Sequence, residues 1–297
     1  MIPFHAPELA DRLWAAPLLR RYGDAASEAA FGTYYAWQNH FHYEIAEYDG
    51  YFLAHWDGGY LFPVGENAPD DLAAVLRALE EDASRRGEPL VLHFSEHFLP
   101  MAQRTCGGRF RVEEDRADAD YLYRVADLAA LSGKKYHGKR NHVAHFEKTY
   151  SYTFENVTTE AQERECVAMM EEWCSSNENP DDFAAELTAI RRIFAAREEL
   201  QVRAGLLRVD GKVVAFAAGE ESADGIFDQH FEKALVEYDG AYAVVNQQFM
   251  QHCIADYTLV NREEDMGLEG LRKAKLSYHP AQLVMKYTAA PVAQAAE

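Results

Sequence analysis

Three strand-like runs, 202–209, 212–220 and 225–233, lie close together in the second half of the chain. The first two are joined by Asp210-Gly211, a dipeptide that favours a tight turn between antiparallel strands. A meander of this kind cannot bury its faces alone, so the rest of the chain must supply helices to cover it. Helical text stands on both sides. Residues 132–150 place Tyr136, Val143, Phe146 and Tyr150 on one face and Lys135, Lys139 and His142 on another. Thr158 and Thr159 cap a helix reaching about 175, with Glu163 as capping-box partner. A further helix is expected over 181–197. Beyond the meander come a helix (240–254), a strand (257–261), a helix (268–276) and a last strand (282–287). A small-residue tail, 289–297, is expected to fray.

The first half has a similar order. After helical text to about Trp37 come strands near 40–46, 50–56 and 60–64, with Asp57-Gly58-Gly59 as a hairpin turn. Residues 69–86 form a helix with Leu72, Val75, Leu76 and Leu79 at helical spacing. A short buried strand (89–94), a helix (96–104) and strands at 110–112 and 121–125 follow, with 113–120 as a charged turn between the last two. The repeated order predicts a mixed α/β (α+β) chain of two similar domains, 1–126 and 127–297, meeting near 123–132. Each has a mostly antiparallel mixed sheet flanked by helices.

With 297 residues and 48% hydrophobic content, the chain has enough apolar text for a large core. No stretch approaches the roughly 20 apolar residues of a membrane span, and the first 13 residues, with Glu8 and Asp11, do not read as a secretory signal. Cys106, Cys166, Cys174 and Cys253 form no close metal or redox pair, so free thiols and a cytoplasmic location are expected. A net charge of −20 excludes a duplex-DNA-coating protein. The charge is unevenly typed: residues 1–130 contain no lysine, whereas 134–148 hold five basic groups against one acid.

The C-terminal text adds a resemblance. Gly270-Leu271-Arg272-Lys273-Ala274-Lys275, then Tyr278-His279-Pro280, then Lys286-Tyr287 resembles a signature of aminoacyl-phospholipid synthases. The helix Lys134 to His142 resembles the basic helix that opens their catalytic half, and Asn261 to Gly267 completes the pattern. Together these are similar to an uncharacterised family related to the C-terminal domain of phosphatidylglycerol lysyltransferase. The resemblance is specific over about 127–287 and architectural before that. It implies two tandem GCN5-related N-acyltransferase-like domains, as in the peptidoglycan-bridge aminoacyltransferases. The first is expected to be degenerate and the second to carry the cleft.

In that fold the strand after the meander splays from its neighbour, and a helix N-terminus receives the donor phosphates. The matching step is Lys233 to Ala241. It has one glycine, Gly240, with Glu237 and Asp239, where the usual acetyl-CoA fingerprint has Gln or Arg and two close glycines. This counts against acyl-CoA, and an ordinary Asp-capped helix start accounts for the text as well.

Asp228, His230 and Glu232 alternate along one strand and are expected on one face. There His230 is a candidate base, oriented by Glu232, with a satisfied polar rim as the alternative. The family implies Tyr278 as proton donor to the leaving group. Arg272 and Lys275 are candidates to face an anion, or else lie on a solvated helix face. In the loop after 257–261, Arg262, Glu263, Glu264 and Asp265 either hold an amine or pair with one another. Asn246, inside a helix where Asn is not favoured, either bonds a buried loop or lines the cleft, and Asn261 is expected to line it. Lys135, Lys139 and Arg140 are expected to meet a phosphate of CoA, of a tRNA acceptor end or of a lipid head, with a solvated face as the alternative. His137, His142 and His145 lack clean metal-ligand spacing, so no metal is expected.

These readings favour an acyl- or aminoacyl-transferase. Its donor would be aminoacyl-tRNA or acyl-CoA, with no tightly bound cofactor, and its acceptor an amine or hydroxyl of a small molecule or peptide. A lipid acceptor is the lesser expectation, because the chain lacks a membrane-spanning half. The alternative is a non-catalytic ligand-binding or regulatory protein that kept the fold.

Overall fold

The computed structural model describes residues 1–66, 69–176 and 183–292. The first half runs α1 (Arg12–Tyr22), α2 (Phe31–Phe41), β1 (Glu44–Tyr48), β2 (Tyr51–Trp56), β3 (Gly59–Leu61), α3 (Pro69–Arg86), β4 (Leu92–Ser95), α4 (Leu99–Cys106) and β5 (Phe110–Arg124). The second begins with α5 (Val125–Ala130), α6 (His137–Thr149), β6 (Tyr152–Asn156), α7 (Glu160–Ser175), α8 (Ala184–Ala195) and α9 (Arg197–Leu200). It continues with β7 (Arg203–Val209), β8 (Lys212–Ala223), β9 (Ile226–Ala234), α10 (Ala241–His252), β10 (Leu259–Asn261), α11 (Glu269–Leu276) and β11 (Gln282–Pro291).

Among the described residues the eleven strands form one sheet, in the order β1-β2-β3-β4-β11-β5-β10-β9-β8-β7-β6. The sheet has an internal pseudo-symmetry about its central antiparallel pair, β5 and β11. Outward from that pair, β4 and β10 each pair antiparallel with it. Each is then parallel to the strand beyond, β3 on one side and β9 on the other. Antiparallel hairpins complete both arms, and β6 extends one of them. The halves expected at 1–126 and 127–297 thus share a continuous sheet, and β11 of the second lies between β4 and β5 of the first.

Several local expectations need correction. Residues 113–120 are not a turn, because β5 runs through them and its Glu113, Glu114 and Asp115 stand opposite Thr288, Tyr287 and Lys286 of β11. Residues 289–291 are strand, not frayed tail, because they pair with Phe110, Arg111 and Val112. The capping box of α7 is closed by Gln162, not Glu163, with reciprocal bonds between Thr159 and Gln162. The helix expected over 132–150 starts as a 3₁₀ turn, Lys134–Tyr136, before α6. The start of the helix expected at 181–197 and the end of the tail fall outside the described residues.

Two apolar layers cover the sheet. One gathers Phe31, Tyr34, Phe52, Phe194 and Phe231 with helices α1, α2, α7 and α8. The other gathers Tyr121, Tyr123, Tyr136, Phe146, Phe227 and Phe249 with α5, α6 and α10. β10 pairs with β9 only over Ile226–Asp228. Past that point the parallel strands part, and the opening between them is the site described next.

Candidate functional site

A cavity of about 1090 Å³ lies at this opening, walled by residues of both halves. Of the residues predicted from sequence, Lys139, His230, Glu232, Arg262, Glu263, Glu264, Lys275 and Tyr278 line it. Lys135, Arg140, Asn246, Asn261, Asp265 and Arg272 are not on its wall.

The wall nearest α6 is built on Tyr278. Nζ of Lys139 stands 3.6 Å above the centre of its ring, and the Arg262 guanidinium is 4.8 Å from the same centre. Nη2 of Arg262 donates to Oε1 of Glu232 at 2.7 Å, while its buried Nε and Nη1 have no partner among the described residues. Burial, reinforced by the Arg262 charge and opposed by Glu232, lowers the Lys139 pKa to about 8. Burial and Glu232 raise that of Tyr278 despite Arg262, so its hydroxyl keeps its proton at neutral pH.

Glu232 does not orient His230. Its Oε2 accepts from Asn246 (2.8 Å) and Gln229 (3.0 Å), and its other oxygen from Arg262. Nor do Asp228, His230 and Glu232 share one face, because the β8–β9 register shifts between Ala218 and Glu220. Phe227 and Phe231, four apart, accordingly enter opposite cores. Glu232 turns toward α10, whereas His230 turns toward α2 and packs near Gly32.

His230 is buried with Nδ1 3.1 Å from Glu263 Oε1 and 3.5 Å from Asp228 Oδ2, and Nε2 3.2 Å from Glu220 Oε1. Burial lowers the imidazole pKa, but the bonds to Glu220 and Glu263 and the charge of Asp228 outweigh it and raise it well above the usual value. A charged imidazolium is a poor base. Glu220 was not legible as a site residue, since only the register shift brings it here.

The remaining candidates brace the walls. Asn261 is fully buried and ties Ala25 O (2.9 Å) and Asp120 (3.0 Å) to the backbone N–H of Glu263 (2.7 Å). Asp265 accepts two 2.8 Å bonds from Arg272 and one of 2.5 Å from the Tyr121 hydroxyl, so neither Asp265 nor Arg272 is free for a ligand. The Arg272 guanidinium and the Tyr121 bond together hold the Asp265 carboxyl well below the usual range despite its burial. Lys275 donates to the carbonyls of Arg262 and Glu263. The expected three-residue anion site on α6 is not assembled. Lys135 is exposed and pairs with Asp127, Arg140 donates to the carbonyls of Leu131 and Gly133, and Lys139 faces the cavity.

On the opposite wall stands Lys286, which the sequence offered only within the Lys286-Tyr287 step of the family signature and not as a site residue. Its Nζ meets Glu28 (2.8 Å), Asp120 (3.0 Å) and Ser27 Oγ (3.0 Å). Beside it, burial pushes Glu264 up to about 7, with Lys286 opposing and Glu263 and Asp120 adding to the rise.

At its N-terminus α10 packs against α6 through Gly240, while Tyr242 of its first turn lines the cavity. Gly240 has φ +94°, and a Cβ there would lie 2.6 Å from the carbonyl oxygen of His142. Asp239 stands near His142 and His145 at 3.9 and 3.6 Å. A pyrophosphate at this turn would meet backbone and acid together. Among the described residues no helix is long and apolar enough to cross a membrane.

A conserved protein of unknown function from Bacteroides thetaiotaomicron has a solved structure that is 35% identical, with a TM-score of 0.91 over 98% of this chain and 100% of that one. The structure of L-PGS from Bacillus licheniformis shares the fold at 15% identity and a TM-score of 0.62, over 95% of this chain and 92% of that one. A tandem GNAT protein from the clavulanic acid pathway shows the same tandem acyltransferase-like architecture, with a TM-score of 0.53 at 12% identity over 99% of this chain and 100% of that one. An uncharacterized protein of Mycoplasmoides gallisepticum is 23% identical over 174 residues, which is 58% of this chain and only 56% of the length of that relative. The sequence profile of the phosphatidylglycerol lysyltransferase C-terminal family matches residues 19–290, and the chain belongs to that family.

Proposed function

We propose that the cavity transfers an aminoacyl group from an aminoacyl-tRNA to an amine or hydroxyl of a small-molecule or peptide acceptor. One observation carries the reading: the unpartnered Nε and Nη1 of buried Arg262 stand beside Lys139, an amine with a pKa of about 8, in a cavity large enough for both substrates. In this scheme neutral Lys139 takes the proton of the attacking nucleophile as it adds to the ester carbonyl. Arg262 donates to the oxyanion that develops. The Tyr278 hydroxyl gives its proton to the departing ribose oxygen, and the tetrahedral intermediate collapses to the new amide or ester. The base is assigned to Lys139 rather than His230, because three carboxylates hold His230 as its cation.

The His142 carbonyl and Asp239 beside the N-terminus of α10 favour aminoacyl-tRNA over acyl-CoA as donor. Family membership supports the same choice. The acids Glu263 and Glu264 on the wall suit a cationic amine in the acceptor or in the aminoacyl group, whereas Glu28 is already paired with Lys286. The test is discharge of a panel of labelled aminoacyl-tRNAs, with peptides, polyamines and phosphatidylglycerol micelles as acceptors. Transfer that falls in Lys139→Met and Arg262→Met supports the scheme. Binding of charged tRNA with no discharge, equal in parent and variants, supports the non-catalytic reading instead.

A further inference from the structure

His230 presents its two ring nitrogens to different partners. Nε2 faces Oε1 of Glu220 at 3.2 Å, and that carboxylate is itself anchored by the backbone N–H of Gly32 at 2.5 Å. A proton on Nε2 therefore has a fixed acceptor. Nδ1 faces Oε1 of Glu263 and Oδ2 of Asp228, 3.1 and 3.5 Å away, so a metal that displaces its proton would find a lone pair aimed between these two carboxylates. Asp228 is fully buried, and neither of its carboxylate oxygens has a hydrogen-bond partner among the described residues. One donor atom from each of Asp228, His230 and Glu263 lies within 4.8 Å of the others. In the metal-free chain the Nδ1 proton supplies the positive charge between these groups, and a metal ion bound at the same point would take that proton's place while also meeting the unpartnered Asp228 oxygens.

We propose that Asp228, His230 and Glu263 bind a divalent metal cation, with Glu220 as the positioning residue that orients the imidazole. An imidazole whose distal N–H is held by a carboxylate is the usual arrangement around a metal-bound histidine. One nitrogen and two carboxylates suit Mn²⁺ or Zn²⁺ better than Mg²⁺ or Ca²⁺, which favour all-oxygen sets. His230 and Glu263 reach the cavity, so the ion has a path in, and water or substrate completes its coordination. The backbone is held for this role: Glu263 has φ +56°, and its N–H is bonded to Asn261. The ion would join β9 to the loop after β10 at the point where the two strands part.

The test uses the full chain, stripped with chelator and titrated with MnCl₂ or ZnCl₂ by calorimetry, with electron paramagnetic resonance as a second readout for Mn²⁺. The expected result is one ion per chain and a rise in melting temperature with metal concentration. Asp228→Asn and Glu263→Gln lose this binding, and Glu220→Gln weakens it about tenfold or more. The Glu263 side chain is 22% exposed, so Glu263→Gln keeps the test decisive if Asp228→Asn does not fold. His142→Ala with His145→Ala, which removes an exposed histidine pair, binds as the parent does. Failure of the parent to take up either metal overturns the proposal. Uptake that survives Glu263→Gln unchanged, or that vanishes with the His142 and His145 changes, overturns it as well.

Discussion

Lys139 and Arg262 share one aromatic ring: the ammonium stands 3.6 Å above the centre of Tyr278, and the guanidinium lies 4.8 Å from the same point. Both cations are held there although each raises the cost of the other, and Lys139 yields. Groups facing it are Arg262 and Glu232, with Tyr278 beneath. If neutral Lys139 is the base, the rate of transfer rises with pH and levels off above about 8. Lys139→Met is expected to lower the single-turnover rate by about 10²–10⁴ and to abolish that rise. A pH–rate profile of parent and variant checks both.

The same pKa predicts a stability effect of definite sign. Folding lowers the Lys139 value from 10.5 to about 8, so the unfolded chain binds more protons between those limits. This group's contribution therefore becomes more favourable as pH rises from 8 to 10.5, and its burden is complete below that window. Lys139→Met removes the burden, so at pH 7 its denaturant midpoint should equal or exceed that of the parent. A clear loss of stability at pH 7 would refute this reading of the site.

Asp265 is expected to act as a clamp for the loop after β10. Asp265→Asn leaves Arg116 and Arg272 without their carboxylate and should cost about 2 kcal/mol or more in urea unfolding. Its lowered pKa fixes the pH direction. The stabilisation is present above the ordinary value of 3.8 and is lost as pH falls through the folded-state value. The variant should therefore differ from the parent most near neutrality and progressively less in strong acid.

Gly240→Ala should cost about 2 kcal/mol, because it strains a φ of +94° and drives a methyl group into the His142 carbonyl. Acetyl-CoA should leave the parent's melting temperature unchanged, since the His142 carbonyl packed on Gly240 and the acid Asp239 make this turn a poor seat for its pyrophosphate. A dose-dependent rise would show that this turn opens to the donor.

Local signals carried much of the fold. Asp210-Gly211 set the β7–β8 hairpin, with φ of +49° and +85° at its two residues, and α3 begins and ends as its periodicity predicts. The exchange of β5 and β11 was not legible, because pairings such as Asp115 with Lys286 join residues far apart in sequence. The acid-rich text of 113–120 pointed to a turn, and only β11 makes it strand. At the site, Lys139 and Arg262 were found by residue type and Tyr278 through the family resemblance, but their grouping depends on three separate elements meeting. Strict alternation misplaced Glu232, because a period of two holds only in an unbroken ladder and β9 is shifted against β8. Lys286 stood out only within the Lys286-Tyr287 step of the family signature, with no role attached, and Glu220, next to Glu221, gave no signal of its own.

The most direct measurement is single-turnover discharge of labelled aminoacyl-tRNA, with the product followed onto an amine or hydroxyl acceptor. The account predicts that the parent discharges at least one charged tRNA well above the rate in buffer, and that the label appears on the acceptor. It also predicts that Lys139→Met and Arg262→Met, still folded by circular dichroism, lose most of that rate. Discharge no faster than in buffer across the whole panel, or equal discharge by parent and both variants, would contradict it.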